Sequence, residues 1–216
     1  MKIVLLLVVL FAFIAAGFAS PAELPKLPKG NQNKGKDKGK DKGKSPPPVM
    51  TLKQKVDEQW AAMKTHVLEG DKHGNEDAGR HTLSSWQAKN KDEGWCHKQT
   101  HICVFRMTSP TPKTVWDDRS GKFTKADIES MCKKVIADAY GRTGKKPNRD
   151  QAYIVKTKNG HHICTQFQVA GHGSCYPTAL NDLSDMSEGA DCTGMSHGRI
   201  DKQVPEKSRE VISKKK

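Results

Sequence analysis

Histidine and cysteine carry most of the chemistry available to this 216-residue chain, with nine of the first and six of the second. Two segments share a His-Ile-Cys run followed by Phe: His101-Ile102-Cys103-Val104-Phe105 and His162-Ile163-Cys164-Thr165-Gln166-Phe167. A metal-free ribonuclease needs two histidines as general base and general acid, and a cation to stabilise the phosphorane. His101 and His162 on neighbouring strands, with Arg106 or Lys156 beside them, are residues of those types. The Phe follows Cys by two residues in one segment and by three in the other, which puts the rings on opposite faces of a strand. The likeness is therefore one of strand patterning, not duplication, and ordinary strand histidines are the plainer reading. No Ser/His/Asp or Cys/His nucleophile signature accompanies them. An enzyme is thus the alternative reading, and a nuclease is its form.

Metal is the other use for such residues. His97, His101, His161, His162 and His172 lie near Cys96, Cys103, Cys164 and Cys175 in the sequence. The closely spaced Cys-X2–4-Cys ligand pair of zinc sites is missing, and a metal would need free thiolates. The sequence therefore assigns no metal and no cofactor. An even cysteine count in an exported chain reads as a disulfide framework of Cys96, Cys103, Cys132, Cys164, Cys175 and Cys192, with the pairing open.

Export itself is predicted from the N-terminus. Lys2, an apolar run from Ile3 to Ile14, and Ala15-Ala16-Gly17-Phe18-Ala19 form a secretory signal over residues 1–19, cut after Ala19. That run is too short to span a bilayer, and no second apolar run of membrane length follows. A soluble, secreted, monomeric chain is expected. Residues 20–50, rich in Lys, Gly and Pro with a Gly-Lys-Asp-Lys repeat, cannot bury enough apolar surface to order and read as a disordered arm.

The elements that must position the chemistry lie between residues 51 and 195. Leu52, Val56, Trp60, Met63 and Val67 make one stripe of an amphipathic helix ending near Gly70. A weak strand is expected at Thr82–Ala88 and a firmer one at Thr100–Met107, with His101, Cys103, Phe105 and Met107 on one face and Ile102 and Val104 on the other. Pro110 and Pro112 break the chain. Thr124 with Asp127 opens a second helix running to about Tyr140, stopped by Gly141 and Gly144. Ala152–Lys158 and His161–Val169 flank Asn159-Gly160, the preferred pair of a two-residue type I′ hairpin. Residues 196–216 read as a disordered basic tail. The predicted fold class is α+β: a small antiparallel sheet with the Asn-Gly hairpin in its C-terminal half, two amphipathic helices on one side, disulfides, and disordered basic tails.

The formal net charge of +13 invites a nucleic-acid reading. Most of it lies in the tails, with +5 over residues 21–50, +4 over 199–216 and only +3 over 51–198. It therefore argues for solubility and electrostatic steering. One basic cluster belongs to the fold: Lys133, Lys134, Arg142, Lys145, Lys146 and Arg149. Cations are favourable at a helix C-terminus, and the same cluster is a candidate polyanion-binding loop. Lys214-Lys215-Lys216 and the lysines of residues 34–44 are candidate import signals for action in a recipient nucleus or cytoplasm.

The plan of signal peptide, low-complexity arm and small even-cysteine domain resembles secreted effectors of fungi and oomycetes. A narrower likeness is to the smut-fungus viral killer toxins, carried by a strand resembling His101–Phe105, a helix resembling Asp127–Tyr140 and a strand resembling Ala152–Lys156. The chain lacks the toxins' cysteine pair just after the helix and adds Cys164, Cys175 and Cys192, so no channel inhibition is carried over. The resemblance implies a non-enzymatic effector or toxin-like protein that promotes virulence or modulates host defence. Its partner would be a host or competitor protein or an anionic surface polymer. The alternatives are the ribonuclease and a translocated effector that binds nucleic acid in the host nucleus.

Overall fold

Thr51 begins the order. Its side chain accepts from the Gln54 amide while Gln54 Oε1 accepts from the Thr51 amide at 2.8 Å, a capping box that opens α1 (Leu52–Leu68). Val56, Trp60, Met63 and Val67 form its buried stripe. The computed structural model describes residues 48–71, 78–105, 112–178, 180–192 and 204–213. The signal segment, nearly all of the lysine-rich arm, Arg106, Met107, Pro110 and the terminal Lys214-Lys215-Lys216 lie outside them.

Thr82–Ala88 is not a strand. Thr82 caps a short helix, α2 (Leu83–Gln87), by accepting from the Ser85 amide, and Leu83 and Trp86 stand three residues apart on one fully buried face. The second long helix, α3 (Lys125–Thr143), starts at the expected Thr124–Asp127 box. It runs through Gly141 and stops only at Gly144, whose φ of +65° is a left-handed cap. Helical bonding continues past a single glycine because the penalty there is only about 1 kcal/mol.

Among the described residues seven strands follow two pairing systems: β1 (Gly94–His97), β2 (Ile102–Phe105), β3 (Lys113–Trp116), β4 (Gln151–Lys156), β5 (His162–Gln168), β6 (Ser174–Pro177) and β7 (Arg209–Ile212). The expected α+β class holds, but as two antiparallel sheets, ordered β3-β2-β1-β7 and β4-β5-β6. β4 and β5 pair with Lys156 opposite His162, which leaves three residues, Lys158–Gly160, between the Thr157–His161 ends. The Gly160 amide donates to Thr157 O at 3.0 Å and Gly160 alone takes a positive φ, +87°. The turn is therefore a three-residue loop with a left-handed glycine, not the two-residue I′ turn, because Asn159 keeps a negative φ.

Strand alternation distributes the core. Ile102 and Val104 of β2, with Tyr153, Val155, Ile163 and Phe167, join α1 and α3 in one large cluster. Cys103 and Phe105 turn the other way and pack with Leu83, Trp86 and Ile212. Ala152, Ile154 and Cys164 form a third cluster with Cys192. Both faces of each sheet are thus covered: the two long amphipathic helices share one side, as expected, and the short α2 lies opposite them. All six cysteines pair: Cys96–Cys103 across β1 and β2, Cys132–Cys175 from α3 to β6, and Cys164–Cys192 from β5 to the segment covering it.

Residues 204–213, expected to fray, are instead part of the domain. Val204 and Ile212 are buried, and β7 pairs with β1, Gly94 standing opposite Ile212. The short polar sequence gives no periodic signal, but the open edge of β1 supplies the ladder it needs.

Two measurements check this. By loop-closure entropy, removing Cys132–Cys175 (separation 43) should destabilise by about 4 kcal/mol and removing Cys96–Cys103 (separation 7) by about 2 kcal/mol, read from denaturant midpoints. Deleting residues 204–216 exposes the sites of Val204 and Ile212 and should lower stability by at least about 3 kcal/mol, with faster amide exchange in β1. Unchanged exchange would mean that β7 contributes nothing to the fold.

Candidate polyanion surface and histidine clusters

The six basic residues expected to act together divide into two groups. Lys133 bonds Asp57 and Glu129, both at 2.8 Å, and Lys134 bonds Glu188 at 2.7 Å. Arg142 donates to the Gly189 carbonyl and lies over the Tyr153 ring at 4.3 Å. These three are engaged in holding α3 to its neighbours. Lys145, Lys146 and Arg149 are exposed on the loop after Gly144, around a buried Pro147, and make no ion pair among the described residues. Asp150 next to them turns away, accepting from the Val169 amide at 2.9 Å. The result is three unpaired cations on one loop beside a helix C-terminus, arranged to meet negative charge.

The nuclease constellation does not assemble as expected. His101 precedes β2 in the four-stranded sheet and His162 begins β5 in the three-stranded one, so they are not on neighbouring strands. His101 takes a φ of +56° between two tethers: its amide donates to His97 O at 2.8 Å, and its carbonyl accepts from the Asp117 amide at 2.9 Å. Nδ1 of His101 and of His162 are each buried with no partner among the described residues. His161 instead bonds Asp182 at 3.1 Å, and that carboxylate also accepts from the His162 amide at 2.8 Å. Of the two cations offered for that scheme, Arg106 lies outside the described residues and Lys156 stands opposite His162 on β4.

His97 is the most constrained of this group. Its Nδ1 accepts from the Gln99 amide at 3.3 Å and the Thr100 amide at 3.2 Å, closing the β1–β2 turn. Burial, then the nearby His161 and His101, hold its pKa below the ordinary 6.5. Burial and then Lys122 act in the same direction on His101. Beside them sits Asp117, fully buried. Burial alone would raise its pKa, but the Arg119 guanidinium, bonded to both carboxylate oxygens at 2.9 Å, holds it low with help from Lys122. Lys122 also reaches Glu210 of β7 at 3.2 Å, tying the C-terminal strand to this node.

A second group was missed by the sequence reading. Arg80 and His81 donate their amides to His66 O at 2.9 Å and Val67 O at 2.7 Å, laying this segment against the end of α1. Gly79 permits the approach, because a Cβ there would collide with the His66 carbonyl. His81 Nδ1 meets the Thr114 carbonyl at 3.3 Å, which can only accept, so Nδ1 carries the proton and Nε2 accepts from Ser174 Oγ at 3.2 Å. A Ser–His pair of this kind has the atoms of a nucleophile and its base. Both residues are buried between β3 and β6, and there they act as a structural link between the sheets. Nothing in the spacing of His81 and Ser174 marks them, because the contact spans 93 positions of sequence.

No protein-family model, curated protein or solved structure matches this chain.

The depressed histidines set an acid sensitivity. Unfolded, they titrate near 6.5, and folded, below it. Between those values the unfolded chain holds more protons, so stability falls as pH drops through about 6.5 and levels off below the folded value. The carboxylates held low, Asp117 among them, withdraw their contribution only in a lower window, below 3.8. His97→Asn keeps an acceptor for the two amides and removes the titration. Urea midpoints from pH 8 to 5 should fall less steeply in that variant than in the wild type, and equal slopes would rule His97 out as the source.

Proposed function

We propose that this chain is a secreted, disulfide-braced binding protein, of effector or toxin-like type, that docks on an anionic polymer at the surface of a host or competing organism. The observation that carries the reading is the loop of Lys145, Lys146 and Arg149, exposed and unpaired beside the C-terminal end of α3. Three disulfides and the absence, among the described residues, of a helix long and apolar enough to cross a membrane are compatible with export. The lysine-rich arm adds long-range attraction, which raises encounter rates without specifying the target. Docking is favoured over RNA cleavage because the two histidines of that scheme belong to different sheets. The action on the other organism, promotion of virulence or modulation of defence, follows from the organisational resemblance to secreted effectors.

Binding of the mature chain, residues 20–216, to a carboxylated or sulfated polysaccharide should weaken steeply with added salt. Combined Lys145→Glu, Lys146→Glu and Arg149→Glu should reduce affinity at least about tenfold at low salt with the thermal midpoint unchanged. Wild-type affinity in that variant would overturn the loop as the docking surface. RNA cleavage that disappears in His101→Ala or His162→Ala would replace docking with catalysis.

A further inference from the structure

His66 lies in the last turn of α1, Asp71 just beyond its C-cap, and His172 in the turn between β5 and β6. These three are separated by up to 106 positions in sequence yet converge on one point. His66 Nδ1 stands 3.0 Å from Asp71 Oδ2, and His172 Nε2 stands 3.5 Å from Asp71 Oδ1. One donor atom from each of the three lies within 4.8 Å of the other two. Four ligands at zinc–nitrogen and zinc–oxygen lengths of about 2.0–2.2 Å sit about 3.3–3.6 Å from one another around a tetrahedron. The two printed spacings, to the two oxygens of Asp71, lie close to that edge, and the remaining one is within 4.8 Å.

The supports of these side chains are fixed independently of any ion. The His66 carbonyl is held by the Arg80 amide, and the His172 carbonyl accepts from Gln59 Nε2 at 3.1 Å. Gly173, at φ +89°, lets the turn pass close to that Gln59 amide. The two imidazoles meet edge-on with centroids 5.1 Å apart, and Asp71 reaches both. His66 also lines a cavity of about 290 Å³ whose other walls include His81, Ser174 and Tyr176. Of the three, His66 alone lines this cavity; a tetrahedral ion held by three protein ligands keeps its fourth position for water or for a ligand atom of another molecule.

We propose that His66, Asp71 and His172 form a binding site for a divalent transition metal ion of the zinc class. Two imidazoles and one carboxylate select such ions over magnesium and calcium, which take oxygen ligands. The ion joins the end of α1 to the β5–β6 turn. The sequence reading set metal aside because it looked for cysteine ligands, and all six cysteines are in disulfides. This site needs none. It is also independent of the Lys145 loop, so failure of either reading leaves the other standing.

The test uses untagged mature chain, stripped with chelator and titrated with Zn²⁺ by calorimetry, alongside thermal melts in Zn²⁺ and in Mg²⁺. One equivalent should bind and raise the melting temperature, while Mg²⁺ should do neither. His172→Ala, on a half-exposed turn side chain, and Asp71→Asn should each weaken Zn²⁺ binding at least about tenfold. Their metal-free melts serve as the folding control and should match the wild type. No saturable binding at about 100 µM Zn²⁺, weaker than any affinity that would lift the melt measurably, overturns the proposal. So does binding that survives both substitutions, since the ion would then sit on other histidines.

Discussion

The two sheets meet at an edge where the ladder stops, and most of the architecture answers to that break. A strand edge presents amides and carbonyls that must find partners or water. Between β3 and β6 the partners are largely side chains. Thr114 Oγ1 donates to Pro177 O at 2.5 Å, and His81 spans from the Thr114 carbonyl to Ser174 Oγ while stacking on Tyr176. On the β3 side, Trp116 donates its amide to His81 O at 2.9 Å, so residues 81–82 occupy part of the gap as a strand-like insert. Thr100 Oγ1 closes a further point with Leu180 O at 2.7 Å. Each of these bonds is directional and local, whereas a ladder repeats. A seam made this way holds a cavity on one side and brings histidines together from distant segments.

The disulfides and the polar node act where hydrophobic burial is thin. Cys132–Cys175 ties α3 to β6 at the seam, and Cys164–Cys192 fastens an irregular segment over the outer face of the three-stranded sheet. That segment has no regular structure of its own, so without a tether its contacts with Ala152 and Ile154 would have to offset its full ordering entropy. Asp117 does comparable work at the far end of the other sheet. A buried carboxylate is tolerable only when paired, and Arg119, Lys122 and Glu210 complete that pairing across β3 and β7.

The proposed functions use what this framework leaves over. Lys133 and Lys134 of α3 are consumed in ion pairs, whereas Lys145, Lys146 and Arg149 past Gly144 make none among the described residues. The histidine–carboxylate set lies instead where the end of α1 meets the β5–β6 turn.

Several elements are legible in the residues alone. The stripes of α1 and α3 and the Thr124–Asp127 capping box follow from periodicity and side-chain reach, which are local properties. The doubly buried β2 follows from apolar residues at successive positions. The even cysteine count predicts the disulfides but not their partners, because pairing depends on which Cβ atoms the fold brings close. Locally ambiguous segments were settled elsewhere. Thr82–Ala88 became a helix once Leu83 and Trp86 had a common sheet face to cover, and the Asn-Gly turn took a third residue because the register of β4 on β5 demanded it. Residues 209–212 became a strand because β1 had an open edge. The sequence by itself determined which residues could be helical, buried or oxidised. Only the tertiary structure decided which edges met, which lysines stayed unpaired and which histidines converged, since those depend on contacts between residues far apart in the chain.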